Sequence, residues 1–85
     1  MPEISRFFGI VIQMHTRDHG PPHFHAIYGS HEIDFYIRTG RVVGDFPSRA
    51  LRLVREWANL HGDELIANWD AARQRLPLAR IEPLE

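Results

Sequence analysis

Eighty-five residues, 44% hydrophobic and 25% charged, make one domain with a single modest core and no room for a second. The absence of cysteine excludes disulfides, thiolate metal sites and a cysteine nucleophile, and no apolar run approaches the ~18 residues of a membrane span. A net charge of −1 excludes a general attraction to polyanions.

In chain order, the first strand candidate runs from about Ser5 to His15. Phe8, Ile10, Ile12 and Met14 alternate onto one face, and Phe7, Gly9, Val11, Gln13 and His15 onto the other. Apolar residues on both faces suit a doubly covered strand. Thr16 to Pro22 reads as a loop, because Asp18, Gly20 and two prolines oppose regular structure. His23 to Tyr28 forms a second strand, and Gly29-Ser30 a turn. Glu32 to Arg38 forms a third strand, with Ile33, Phe35 and Ile37 on its apolar face. Arg41-Val42-Val43 allows a short fourth. Pro47 suits the first turn of a helix and Ser48 its cap. Ala50, Leu51, Leu53, Val54, Trp57, Ala58 and Leu60 then share one side at helical spacing. Gly62 reads as a stop and Asp63 as the next N-cap. The second helix turns Leu65, Ile66, Trp69 and Ala72 inward and ends before Pro77. In the extended tail, Ile81 and Leu84 are expected to pack back on the core.

The expected fold is therefore α+β: a three- to four-stranded antiparallel sheet followed by two helices packed on one face. It forms a single domain over 1–85, β-rich over 4–44, helical over 47–76, with an extended tail over 77–85. The opposite sheet face is left open or covered by a partner, a second copy of the chain included. The N-terminus lacks the basic and apolar regions of a signal peptide, so a cytoplasmic location without membrane contact is expected.

The most informative segment is Asp18-His19-Gly20-Pro21-Pro22-His23-Phe24-His25, which holds three of the six histidines. His23 and His25 are two apart in a strand, so their imidazoles leave the same face. His15 and His31 lie nearby at strand ends. Three readings stay open. In the catalytic reading, His23 and His25 are an acid–base or phosphate-contacting pair acting on an RNA phosphodiester. His19, Tyr28 and Arg38 complete that catalytic set, with Arg17 and Tyr36 as binding residues. In the metal reading, His19, His23 and His25 hold a divalent ion such as zinc, with Asp18 or Asp34 completing the set, although the spacing matches no defined zinc motif. In the structural reading, histidines beside Pro-Pro satisfy loop carbonyls and lock a hairpin.

All ten basic residues are arginine, whose planar fork suits phosphate, although a GC-rich genome also favours arginine codons. Arg49, Arg52 and Arg55, with Arg73, Arg75 and Arg80, are candidates for a phosphate-contacting stripe. The alternative is a solvated face with Glu56 beside Arg52 and Arg55. Protonating all six histidines would take the net charge from −1 to +5, so attraction to nucleic acid should strengthen towards pH ~6. His61 reads as a buried, hydrogen-bonded structural residue, and Trp57 and Trp69 as core.

Ile4-Ser5-Arg6-Phe7, Gly9-Ile10 and Asp18 to Gly29 together resemble the bacterial domain-of-unknown-function 4160 family. So do Arg49-Ala50-Leu51, Glu56-Trp57-Ala58, Leu60-His61, Glu64-Leu65, Asn68-Trp69 and Ile81-Glu82-Pro83-Leu84. The resemblance implies no settled activity. It implies a small cytoplasmic protein of a two-gene, toxin–antitoxin-like module with a small protein partner encoded nearby. It points to His19, His23, His25 and Tyr28 as the matching positions of any functional centre. His15 departs from the family pattern, which often has a tyrosine or another polar residue there. The resulting expectation is an RNA-binding or RNA-cleaving module working through its His-rich hairpin. The alternatives are a non-enzymatic protein-interaction module and a His-based metal-binding domain.

Overall fold

The computed structural model describes residues 2–85 and has five strands followed by two helices. The strands are β1 (Glu3–Phe7), β2 (Ile10–Gln13), β3 (His23–Tyr28), β4 (His31–Tyr36) and β5 (Val42–Val43). The helices are α1 (Ser48–Leu60) and α2 (Gly62–Arg73). The strands form one antiparallel meander in chain order, each hydrogen-bonded to the next.

Sequence reading gives three or four strands because it takes Ser5 to His15 as one. The segment is instead a tight hairpin. Phe8 and Gly9 have φ of 50° and 80°, the left-handed pair that a two-residue turn of primed type needs. Phe7 then pairs with Ile10, which puts residues three apart on one face. Phe7 is buried with Ile10 and Ile12, while Phe8 is 59% exposed, the reverse of the simple alternation.

Register sorts the remaining side chains. Ile12, Ala26 and Ile33 are cross-strand neighbours, as are Phe24, Phe35 and Val42, and they face the core. Trp57 of α1 is fully buried against this layer, its ring 5.3 Å from Phe7 and 5.6 Å from Phe24. On the other face Gln13, His25, Asp34 and Val43 are neighbours.

Helix boundaries differ from expectation by about one residue. Pro47, not Ser48, is the N-cap of α1, with φ −57° and ψ 139° and no side-chain cap bond. His61 caps both helices, so Gly62 opens α2 rather than stopping α1. Asp63 sits in the first turn of α2, where a carboxylate suits the helix dipole. His61 Nδ1–H donates to Glu64 Oε1 at 2.6 Å, and the ring lies 5.6 Å from Trp57, a structural role. Leu60 is 66% exposed and lies outside the core its phase suggested. Among the described residues no helix is long and apolar enough to cross a membrane.

The tail is a clasp. Ile81 N–H donates to Ile4 O at 2.8 Å, and Trp57 Nε1–H donates to Glu82 O at 2.8 Å. Buried Asn68 accepts from Ala79 N–H at 2.9 Å and donates to Ala79 O at 2.8 Å. Ile81 and Leu84 are buried. Asn68→Ala removes both bonds to the tail and leaves its amide and carbonyl unpaired, at roughly 2–4 kcal/mol. A fall of that size in unfolding free energy is expected in urea titrations, and an unchanged midpoint would show that the tail is not held this way.

Candidate functional site

The site is built by the connection between β2 and β3. Pro21 and Pro22 lack N–H donors, so the bend is held by other atoms. His23 Nδ1–H donates to Pro21 O at 2.9 Å, and Ile37 N–H donates to Pro22 O at 3.0 Å. The structural reading is therefore satisfied for one nitrogen of His23. The ring is sealed between Tyr36 and Trp69, with centroids 5.0 and 5.1 Å away. Through Asp18 the loop packs on the sheet face opposite Trp57, where Trp69 of α2 also meets His23.

Asp18 is the hub of this face. Its Oδ2 accepts from His25 Nε2–H at 2.8 Å. The same oxygen lies 3.2 Å from His23 Nε2 and 3.9 Å from His15 Nδ1. His15 stacks on His25, with ring centroids 3.9 Å apart and planes inclined by 13°. On its far side His25 Nδ1 is 2.9 Å from Asp34 Oδ1 and 3.5 Å from Glu32 Oε2. Those carboxylates lie off the ring's N–H axis, so Nδ1 is buried beside acidic oxygens without a directed hydrogen bond. His15 Nε2 is likewise buried and unpartnered.

Electrostatics follow from this packing. Burial pushes the Asp18 carboxyl up. The hydrogen bond from His25 and the charges of His25, His15 and His23 outweigh that and hold it below the ordinary carboxylate value. Burial pushes His15 down, and the neighbouring charge of His25 adds to the effect.

Of the sequence candidates, the structure brings His23, His25 and Tyr36 together. His19 is exposed and takes no part in the ring stacking or carboxylate contacts of the cluster. With Arg17 it lines an adjacent groove completed by Thr16, Asp18, Arg73 and Arg75. Tyr28 leaves the opposite face of β3, near Phe46 and an apolar groove shared with Phe8 and Arg49. Arg38 lines a separate recess beside Thr39, Gly40 and Arg55. Arg52 is exposed and makes no ion pair among the described residues. The arginines form no single stripe. Arg55 donates to Gly40 O at 2.8 Å and lies over Phe35, Arg80 pairs with Glu3 at 3.2 Å, and Arg73 and Arg75 lie by the loop. Among the described residues the compact ligand-type set is His15, Asp18 and His25, whose donor atoms lie within 4.8 Å of one another, rather than His19, His23 and His25. His15 and the two α2-end arginines are the residues that sequence reading undervalued. The signal for His15 was its parity with Gln13, the neighbour of His25 across the sheet.

Together these features define a small α+β domain with an imidazole–carboxylate centre on the face of a five-strand meander opposite Trp57. Residues 9–70 match the family model described as a domain of unknown function, DUF4160, and the chain belongs to that family. No curated protein and no solved structure matches it.

Acid should weaken the fold through this centre. The Asp18 value is depressed in the folded chain, so its ionised form stabilises above the unfolded 3.8, and that contribution is lost as pH falls through the folded value. His15 is also depressed, so the unfolded chain takes up its proton first, from about pH 6.5 downward. Both effects reduce stability on acidification. Urea midpoints from pH 8 to 3, with EDTA present, should fall less steeply in Asp18→Asn and His15→Phe than in the parent. Equal slopes would contradict the assignment.

Proposed function

We propose that the chain binds RNA through the groove beside the imidazole–carboxylate centre, as one member of a toxin–antitoxin-like pair in the cytoplasm. One observation carries this reading. Arg17, Arg73 and Arg75 converge on one groove with His19, and among the described residues none of the three has a carboxylate within 4.0 Å. Guanidinium forks without carboxylate partners, gathered in one groove of a molecule whose net charge is −1, suit phosphate oxygens. Arg73 is ordered there by a 3.4 Å bond to Asp18 O and by the Trp69 ring 5.8 Å away. Arg75 has φ 59°, an uncommon conformation for a residue other than glycine, at the C-terminal end of α2. The groove is shallow and open, which suits a strand backbone, and the exposed His19 ring offers a surface for a base.

The small protein partner has separate support. Exposed Phe8 and Tyr28 flank an apolar groove with Leu53 on the far side of the sheet from the histidines. A partner seated there leaves the arginine groove free.

About three phosphate contacts predict a log–log salt slope near −2 for single-stranded RNA. Fluorescence anisotropy with a labelled oligonucleotide should show this slope, and Arg17→Ala with Arg75→Ala should lose at least tenfold in affinity. Arg49→Ala and Arg52→Ala should bind as the parent does. Absence of binding in low salt, or equal loss from both pairs of variants, would contradict the reading.

A further inference from the structure

Asp18 poses a conflict for an anion-binding groove. It lines the groove with three arginines, and Glu32 and Asp34 add acidic oxygens behind His25. A phosphate approaching this end meets carboxylates as well as guanidinium groups. A cation between Asp18 and the imidazoles would remove the conflict.

We infer that His15, Asp18 and His25 form a binding site for one divalent transition-metal ion of the zinc class, at the end of the arginine groove. Three observations support it independently of RNA. The three donor atoms already lie within 4.8 Å of one another, and a turn of the His15 ring out of its 3.9 Å stack on His25 would let both in-plane lone pairs meet the carboxylate oxygen around an ion with bonds of ~2 Å. Two imidazoles and one carboxylate are the donors that zinc, iron(II) and manganese share, and the calcium-type all-oxygen set is absent from these three. The support behind the ligands is also of the metal-site kind. With the ion on His25 Nε2, the ring's one proton sits on Nδ1, 2.9 Å from Asp34 Oδ1, where a small turn of that carboxylate would bring it onto the N–H axis as backing for the ligand. That arrangement also gives the buried, unpartnered Nδ1 a use.

His23 is a neighbour rather than a ligand of this set. Its Nε2 lies 3.2 Å from Asp18 Oδ2, while its Nδ1 is committed to Pro21 O. Its ring restrains the carboxylate. The three ligands leave coordination positions for water or for a phosphoryl oxygen of a bound strand, where the ion would act as a Lewis acid. That last use rests on the RNA reading, whereas the site itself does not.

The test uses the full untagged chain, stripped with EDTA, dialysed and titrated with ZnCl2 in a calorimeter without RNA. One ion per chain is expected, with a rise in Tm on the order of 5 °C at saturating Zn2+. His25→Gln and Asp18→Asn should each weaken binding by at least 100-fold, and Asp34→Asn by 10- to 100-fold. His31→Ala, which alters an exposed strand-end histidine, should bind as the parent does. Should the Gln or Asn variant unfold, His15→Phe keeps an aromatic ring stacked on His25 while removing a ligand, and it should also lose the ion. No ion bound at tenfold excess, or unchanged binding in His15→Phe and Asp18→Asn, would overturn the inference. RNA titrations in EDTA separate the two readings. RNA bound without any zinc affinity overturns the metal site alone, and zinc bound at these ligands without RNA affinity overturns the RNA reading alone.

Discussion

The Asp18 carboxylate and the His25 imidazole, 2.8 Å apart, hold the loop between β2 and β3 against the sheet. This loop has little apolar surface with which to anchor itself. Thr16, Arg17, His19, Gly20 and Pro21 are all exposed, and Pro22 is the buried apolar residue. Its position therefore depends on polar contacts. A hydrogen bond to a charged group contributes about 1.5–3 kcal/mol, while partial burial of a carboxylate opposes it. Asp18 settles that balance by facing three imidazoles with one oxygen. The depressed Asp18 value is the mark that attraction exceeds desolvation.

The sheet supplies the imidazoles through parity and register. His23 and His25 leave one face of β3 because they are two apart. Gln13 pairs with His25, so His15, two residues beyond Gln13, lies on the same face and stacks on the His25 ring. The same rule removes Tyr28, whose odd offset sends it to the other side. The sealed position of His23 makes it a restraint on the centre. His25 and His15 are the rings that face its polar interior. The apolar half of the sheet, clasped by Trp57, Asn68 and the tail, makes this face a stable platform in a chain with a small core.

Much of the fold was legible in the residues. The Ile33–Phe35 alternation, the His23–Tyr28 strand, the Trp57 and Trp69 faces and the returning Ile81 and Leu84 all rest on local periodicity, which survives in the structure. The β1–β2 hairpin was hidden because Phe8-Gly9 lacks the usual Asn-Gly signature, and a two-residue turn shifts the phase while leaving apolar residues on both sides. Double-sided hydrophobicity was the trace it left, and it fits a covered single strand as well. Of the site, the His23–His25 pair was readable from spacing alone. His15 and Arg75 were not, because their placement depends on the register across a long loop and on where α2 ends against it. The family motif pointed to His19, which the structure places in the groove beside the centre instead of in it.

The central claim is that one carboxylate gathers three imidazoles. Nitrogen-15 NMR of the six histidine rings, compared between the parent and Asp18→Asn, tests this most directly. The ring-nitrogen shifts of His15, His23 and His25 should all move on loss of the charge, while those of His31 and His61 stay in place. A change confined to His25, or spread evenly over all six rings, would contradict the account.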